Sequence, residues 1–154
     1  MTGESWGGDT TGTDIVTIKY DNSGNQKWAK RYDGVGHQTD YPVGIVADKT
    51  GNAYVAGATS NSETDKDIVL IKYDPSGKRL WVKTYGGAAK KDDSVSTLAI
   101  DVDGSLYLVG SVFSKTVEKK DIATLVIFKY TPSGPLFGAK PISVWRALVL
   151  LAAA

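Results

Sequence analysis

The stretch DIVLIKYDPSGKRLWVKTY, residues 67–85, decides the fold because it is written twice. Residues 14–32 read DIVTIKYDNSGNQKWAKRY, and a weaker third copy begins near Asp121 and carries IFKYTPSG at 127–134. Both full copies open with β-branched and aromatic residues, which favour an extended strand. In the first copy Val16, Ile18 and Tyr20 fall on one face, and Ile15 and Thr17 on the other. A tight turn follows, from Asp21 to Gly24 and from Asp74 to Gly77. The aspartate can bond the turn backbone, and the glycine can adopt the left-handed conformation that closes a type I turn with a bulge. A more polar strand comes next, with Trp28 or Trp81 at its centre. Its polarity suits the outer edge of a sheet, where charge discourages further pairing.

The same register holds between these stretches. DKTGNAYVAG at 48–57 is matched by DVDGSLYLVG at 101–110, giving a second hairpin around Asp48 and Gly51, then Asp101 and Gly104. Asp14 corresponds to Asp67, Asp40 to Asp93, Tyr54 to Tyr107 and Gly57 to Gly110. The period is about 53 residues, within the range of propeller blades. Each period holds four strand signals in two hairpins, and no useful helical periodicity occurs before residue 140. Four short strands, repeated, predict an all-β chain of consecutive four-stranded antiparallel β-propeller blades. A blade packs both faces on its neighbours, so its middle strands should be apolar on both sides, as residues 68–71 are. The small residues Gly44, Ala47, Ala53, Ala56 and Gly57 suit crowded strands, and the strand starting near Val43 or Val95 is expected to be innermost.

The expected division is a three-stranded partial blade over 1–41, a second blade over 42–94 and a third over 95–140, degenerate at its end. Residues 6–13, 33–41, 61–66, 86–93 and 114–120 read as loops. Residues 141–154 match nothing in the repeat, and their helix propensity predicts a short apolar helix from Trp145. That apolar stretch is interrupted by Arg146 and falls short of the roughly 20 residues a membrane span needs. A ring needs about four to eight blades. The expectation is therefore an incomplete ring: a fragment of a larger propeller, or a unit that self-associates.

These residues resemble the SBBP-type bacterial β-propeller repeat. The pattern is DKTGNAYVAG at 48–57, then DIVLIKYDPSG at 67–77 with Trp81 four residues on. The likeness extends over roughly residues 1–134, and the third copy has Gly138 where the earlier ones have tryptophan. It implies a secreted or cell-surface bacterial protein in which such repeats form multi-bladed rings. It brings no general catalytic residues.

The composition is that of a soluble globular chain with a net charge of +1, which argues against a nucleic-acid or membrane footprint. Cysteine is absent, so there is no disulfide and no thiolate metal site. The start of the chain shows no basic or apolar leader. The lone histidine, His37, lies in a glycine-rich loop with no G-x-S-x-G elbow, and reads as a solvated side chain. The 101–104 turn resembles the start of a calcium loop, but strand residues follow at once, so it reads as a hairpin turn. The adjacent charges at 90–93 and 115–121 read as solvated loop faces. No catalytic set, cofactor site or metal site is expected.

Recurrence assigns Asp21, Gly24, Trp28, Asp48, Gly51, Asp74, Gly77, Trp81, Asp101 and Gly104 to the framework, because every blade solves the same packing problem. Trp6, His37, Gln38 and Tyr41 stand outside the recurring framework and are the candidates for a specific contact. The expected function is a non-catalytic scaffold that binds protein or glycan through its inter-strand loops. The alternatives are a piece of a propeller enzyme, quinoprotein-like or hydrolytic, and a purely structural assembly module. The expected partners are further blades or further copies of the chain.

Overall fold

A computed structural model describes residues 1–8, 12–62, 65–87, 91–117, 120–131 and 134–135. All its regular structure is β, in three antiparallel sheets that follow one another along the chain. The first sheet is three-stranded, β1 (Thr2–Trp6), β2 (Thr13–Tyr20) and β3 (Gln26–Tyr32), in that order. The second has β4 (Tyr41–Ala47), β5 (Ala53–Ser62), β6 (Asp65–Tyr73) and β7 (Arg79–Tyr85), again in chain order. The third repeats this with β8 (Ser94–Ile100), β9 (Leu106–Val117), β10 (Lys120–Thr131) and the two-residue β11 (Gly134–Pro135). The sheets are blades, and the described residues close no ring. The 136–140 end of the third copy, Gly138 and the tail helix expected over 145–154 lie outside the described residues.

Alternation along the middle strands produces two cores. Tyr54 and Ala56 of β5, with Ile68 and Leu70 of β6, face the third sheet, where Val95, Leu106, Leu108, Val126 and Phe128 meet them. Ala53, Val55, Val69, Ile71 and Tyr73 point the other way and close on Ile15 and Tyr32 of the first sheet. Burial on both faces is why β5 and β6 carry almost no polar residue in their middles. The first strands of successive full blades, β4 and β8, lie against one another.

Each first strand bulges once. The pairing shifts between Pro42 and Gly44 in β4, and between Val95 and Thr97 in β8. Opposite the bulges stand Gly57 and Gly110. A Cβ on Gly57 would sit 2.0 Å from the Tyr41 carbonyl oxygen, and one on Gly110 2.3 Å from that of Ser94. The repeated glycine of the motif is thus required by the bulge.

Several expected loops are shorter than the sequence suggests. Trp6 ends β1 and Tyr41 begins β4. Strands β5 and β6 run on through most of residues 61–66. Of the charged loop expected at 114–120, the described residues instead continue the β9–β10 hairpin, with Lys115 paired to Ile122 and Thr116 to Asp121 beyond a bulge at Ile122/Ala123. The ladder is made by backbone groups, so polar residues continue it wherever no breaker intervenes.

Candidate functional site

The antiparallel order gives the blades two unlike ends. At one end lie four fully described hairpin turns, 21–24, 48–51, 74–77 and 101–104. They are built alike. In each, the aspartate Oδ1 accepts two backbone N–H bonds: from Ser23 and Asn25, Thr50 and Asn52, Ser76 and Lys78, and Asp103 and Ser105, all at 2.8–3.0 Å. The glycine N–H closes each turn on the aspartate carbonyl, and the four glycines lie at φ 82–85°. The turn carboxylates are held below the usual range. At Asp21 the leading cause is the Asn25 backbone bond, and at Asp74 the Ser76 hydroxyl. At Asp48 and Asp101 burial opposes the charge, but the hydrogen bonds they accept outweigh it.

The inner turns have an extra strut. Tyr54 donates its hydroxyl to Asp48 Oδ2 at 3.0 Å, and Tyr107 donates to Asp101 Oδ2 at 3.2 Å. Lys72 lies 4.9 Å from the Tyr54 ring centre, and Lys129 5.1 Å from that of Tyr107. Burial, with Asp48 beside it, pushes the Tyr54 hydroxyl up to about 12. Between the two inner turns is a cleft of about 280 Å³, lined by Lys49, Asn52, Lys72, Val102 and Asp103 among others.

The framework tryptophans lie between blades. The Trp28 ring is 5.9 Å from Tyr73 of the next sheet, and its Nε1 donates to the Pro75 carbonyl at 3.0 Å. Trp81 sits 6.4 Å from Tyr130 in the equivalent place. A Cβ on Gly77 would meet the Trp28 ring at 2.8 Å, so the turn glycine also makes room for the neighbouring blade's indole.

The opposite end carries the segments that differ from copy to copy, and the four non-recurring candidates all fall there. Trp6 is 67% exposed at the end of β1. His37 has φ 48°, and its Nδ1 lies 2.7 Å from Asp33 Oδ2. Gln38 is half-buried in the same loop. Tyr41 starts β4 with Lys66 Nζ 5.0 Å from its ring centre.

Recurring carboxylates are sunk beneath this end. Asp40 is fully buried and accepts the N–H groups of Gly34 at 2.7 Å and Ser60 at 3.2 Å. Asp93 repeats the arrangement with Gly87 and Phe113. It is 2% exposed, so the reading of residues 90–93 as a solvated face fails at Asp93. Burial raises both carboxyls, and raises Asp67 as well. Asp14 is also buried, with Arg31 Nε on its Oδ2. Their recurrence in register was visible in the sequence, but their depth was not, because an isolated aspartate usually marks a surface.

Comparison with known proteins places this geometry. Residues 28–63 match the SBBP family, described as a beta-propeller repeat. The matched segment runs from the outer strand of one blade through the inner hairpin of the next. The chain is also 24% identical over 112 residues to the regulatory protein FlaEY of Caulobacter vibrioides. That match takes in 64% of this chain and 11% of the relative, so the chain spans about a tenth of that protein's length. Among the described residues no helix is long and apolar enough to cross a membrane. With β-sheets in blade order and the indoles of Trp28 and Trp81 repeating between blades, residues 28–63 of this chain match a β-propeller repeat of the SBBP type.

Proposed function

We propose that the chain is a non-catalytic repeat scaffold of a secreted or cell-surface bacterial protein, binding a protein or glycan through the loops at one end of its blades. The difference between the two ends carries this reading. Side chains of the turn end bond their own backbones and are nearly interchangeable between copies. The loop end varies and presents an exposed indole, a half-buried tyrosine and a lone histidine. A rigid frame with variable loops is how binding sites are commonly built. The tryptophans a quinoprotein reading would enlist are occupied by contacts between blades. A regulatory relative also fits a role exercised by binding.

The partners of the frame itself are further blades, in a longer chain or in a second copy. Tyr107, Val109, Leu125 and Ile127 of the third sheet correspond in register to Tyr54, Ala56, Ile68 and Leu70, and no described sheet covers them. Val16, Ile18 and Tyr20 offer the complementary face of the first sheet.

The binding reading is tested on arrays of bacterial polysaccharides and surface proteins, with wild type, Trp6→Ala/Tyr41→Ala and Val102→Ala. Binding lost only in the loop-end variant supports it. The cleft between the inner turns favours a second reading, a small ligand at the turn end. Binding lost only with Val102→Ala would establish that reading and overturn the first.

A further inference from the structure

We propose that the outer strands β3 and β7 form a basic rim that binds an acidic polysaccharide, on a surface separate from the loop-end site. These are the last strands of the first and second sheets. With the residue just before β7, they carry Lys27, Lys30, Arg31, Lys78, Arg79 and Lys83, all exposed, and no acidic residue. The whole chain has 17 acidic residues against 18 lysines and arginines, so the signs are separated by position. Apart from Glu4, the described carboxylates stand at the turn end or the loop end of their blades.

The two basic strands adjoin. The Pro75 carbonyl, in the turn before β7, accepts hydrogen bonds from Trp28 Nε1 of β3 at 3.0 Å and from Lys19 Nζ at 3.2 Å. The Arg79 guanidinium carbon lies 5.8 Å from the ring centre of Tyr32, the last residue of β3. Arg31 is bound to Asp14, and Lys78 interacts with Asp74. Lys27, Lys30, Arg79 and Lys83 form no ion pair among the described residues. Lysine on an edge also discourages strand pairing. That role does not require cations gathered on adjoining edges, where they repel one another. At roughly 3.3 Å per residue, Lys27 and Lys30 stand about 10 Å apart, and Arg79 and Lys83 about 13 Å. Cations spread in this way suit a polymer with repeated negative charges better than one small anion.

The shape of the rim selects among polyanions. Asp21 precedes β3, Asp33 follows it, and Asp74 precedes β7, so the basic band has carboxylates at its borders. A membrane or a nucleic-acid duplex is broad enough to meet those carboxylates, whereas a narrow flexible chain can lie along the band. A single-stranded nucleic acid gains much of its affinity by stacking bases on aromatic faces. The indoles of the rim, Trp28 and Trp81, are packed against Tyr73 and Tyr130 of the next blade. A polysaccharide needs no such platform. Its carboxylates or sulfates meet the cations, and its hydroxyls can bond the exposed Gln26 and Thr84 and the open backbone groups of the strand edges.

The test is surface plasmon resonance of the full chain over immobilised polygalacturonate, with dextran as the neutral polymer. The expected result is binding to polygalacturonate but not to dextran, weakening as salt is raised through about 0.15 M. Lys27→Gln/Lys30→Gln/Lys83→Gln should weaken binding by roughly tenfold or more, while the same three lysines changed to arginine should retain it. Lys30→Gln alone keeps the other edge charges and should weaken binding roughly threefold, which preserves the test if the triple variant associates through its edges. No binding at low salt would overturn the proposal, as would wild-type affinity in the glutamine variants or equal binding to dextran. Tighter binding of a poly(dT) strand or of phosphatidylglycerol vesicles than of polygalacturonate would overturn it too.

Discussion

At the scale of the residue, each turn depends on one carboxylate with two backbone partners. Asp48 is the most heavily engaged, with Thr50, Asn52 and Tyr54 all upon it. Asp48→Ala should lower stability by about 1.5–3 kcal/mol, the range for hydrogen bonds to a charged group, and Tyr54→Phe by about 1 kcal/mol. Urea denaturation checks both, with an unchanged slope showing that only stability moved. The sign of the acid response follows from the same bonds. A carboxyl held below its ordinary value of 3.8 contributes stability that is complete above that value. The contribution is lost as pH falls through the lower folded value. Asp93 and Asp67, raised by burial, act oppositely: their contribution is complete below 3.8 and is lost as pH rises through their higher folded values. Stability should therefore peak on the acid side of neutral and fall steeply below pH 3.8. Much of this was legible in the sequence. Aspartate and glycine at a fixed interval between strand signals identify the turn, whereas the Tyr54 strut showed only as an unexplained recurrence. The depth of Asp40 and Asp93 was not legible at all. Each lies in a polar loop and is buried only because the fold brings backbone N–H groups onto it, those of Gly34 and Ser60 on Asp40 and of Gly87 and Phe113 on Asp93.

At the scale of the element, the outer hairpin of one blade is fitted to the indole of the blade before it. Gly24 and Gly77 have almost the same backbone conformation, φ 82° and 85°, yet different surroundings. An added Cβ at Gly24 meets nothing within 4 Å, while at Gly77 it meets the Trp28 ring. Gly24→Ala should cost about 1–2 kcal/mol, the strain of a left-handed alanine. Gly77→Ala should cost at least about 1 kcal/mol more, in line with overpacking. The excess should vanish in a Trp28→Ala background, since a double-mutant cycle isolates that contact. Equal costs for the two alanines would contradict the inter-blade placement of Trp28. Strand positions were readable from alternation and turn chemistry, but the strand ends at 61–66 and 114–120 were not. Those residues are polar and charged, and a ladder held by backbone groups leaves no mark in the pattern of apolar side chains.

At the scale of the whole molecule, periodicity revealed the architecture because blades meet by repeating one interface. The two faces of β5 and β6 lie in two separate cores, one with each neighbour. Among the described residues, the same alternation leaves the outer face of the third sheet and the opposite face of the first without a neighbour, and Leu125 is 41% exposed there. These faces are complementary by register, so copies of the chain should stack head to tail. An interface of that kind closes into a ring or extends as a filament, according to the rotation per copy. Light scattering behind size exclusion, over a concentration series of the purified chain, tests this most directly. The account predicts a concentration-dependent oligomer in wild type that Leu125→Lys reduces to a folded monomer. A wild-type chain that stays monomeric and cooperatively folded at every concentration would contradict it.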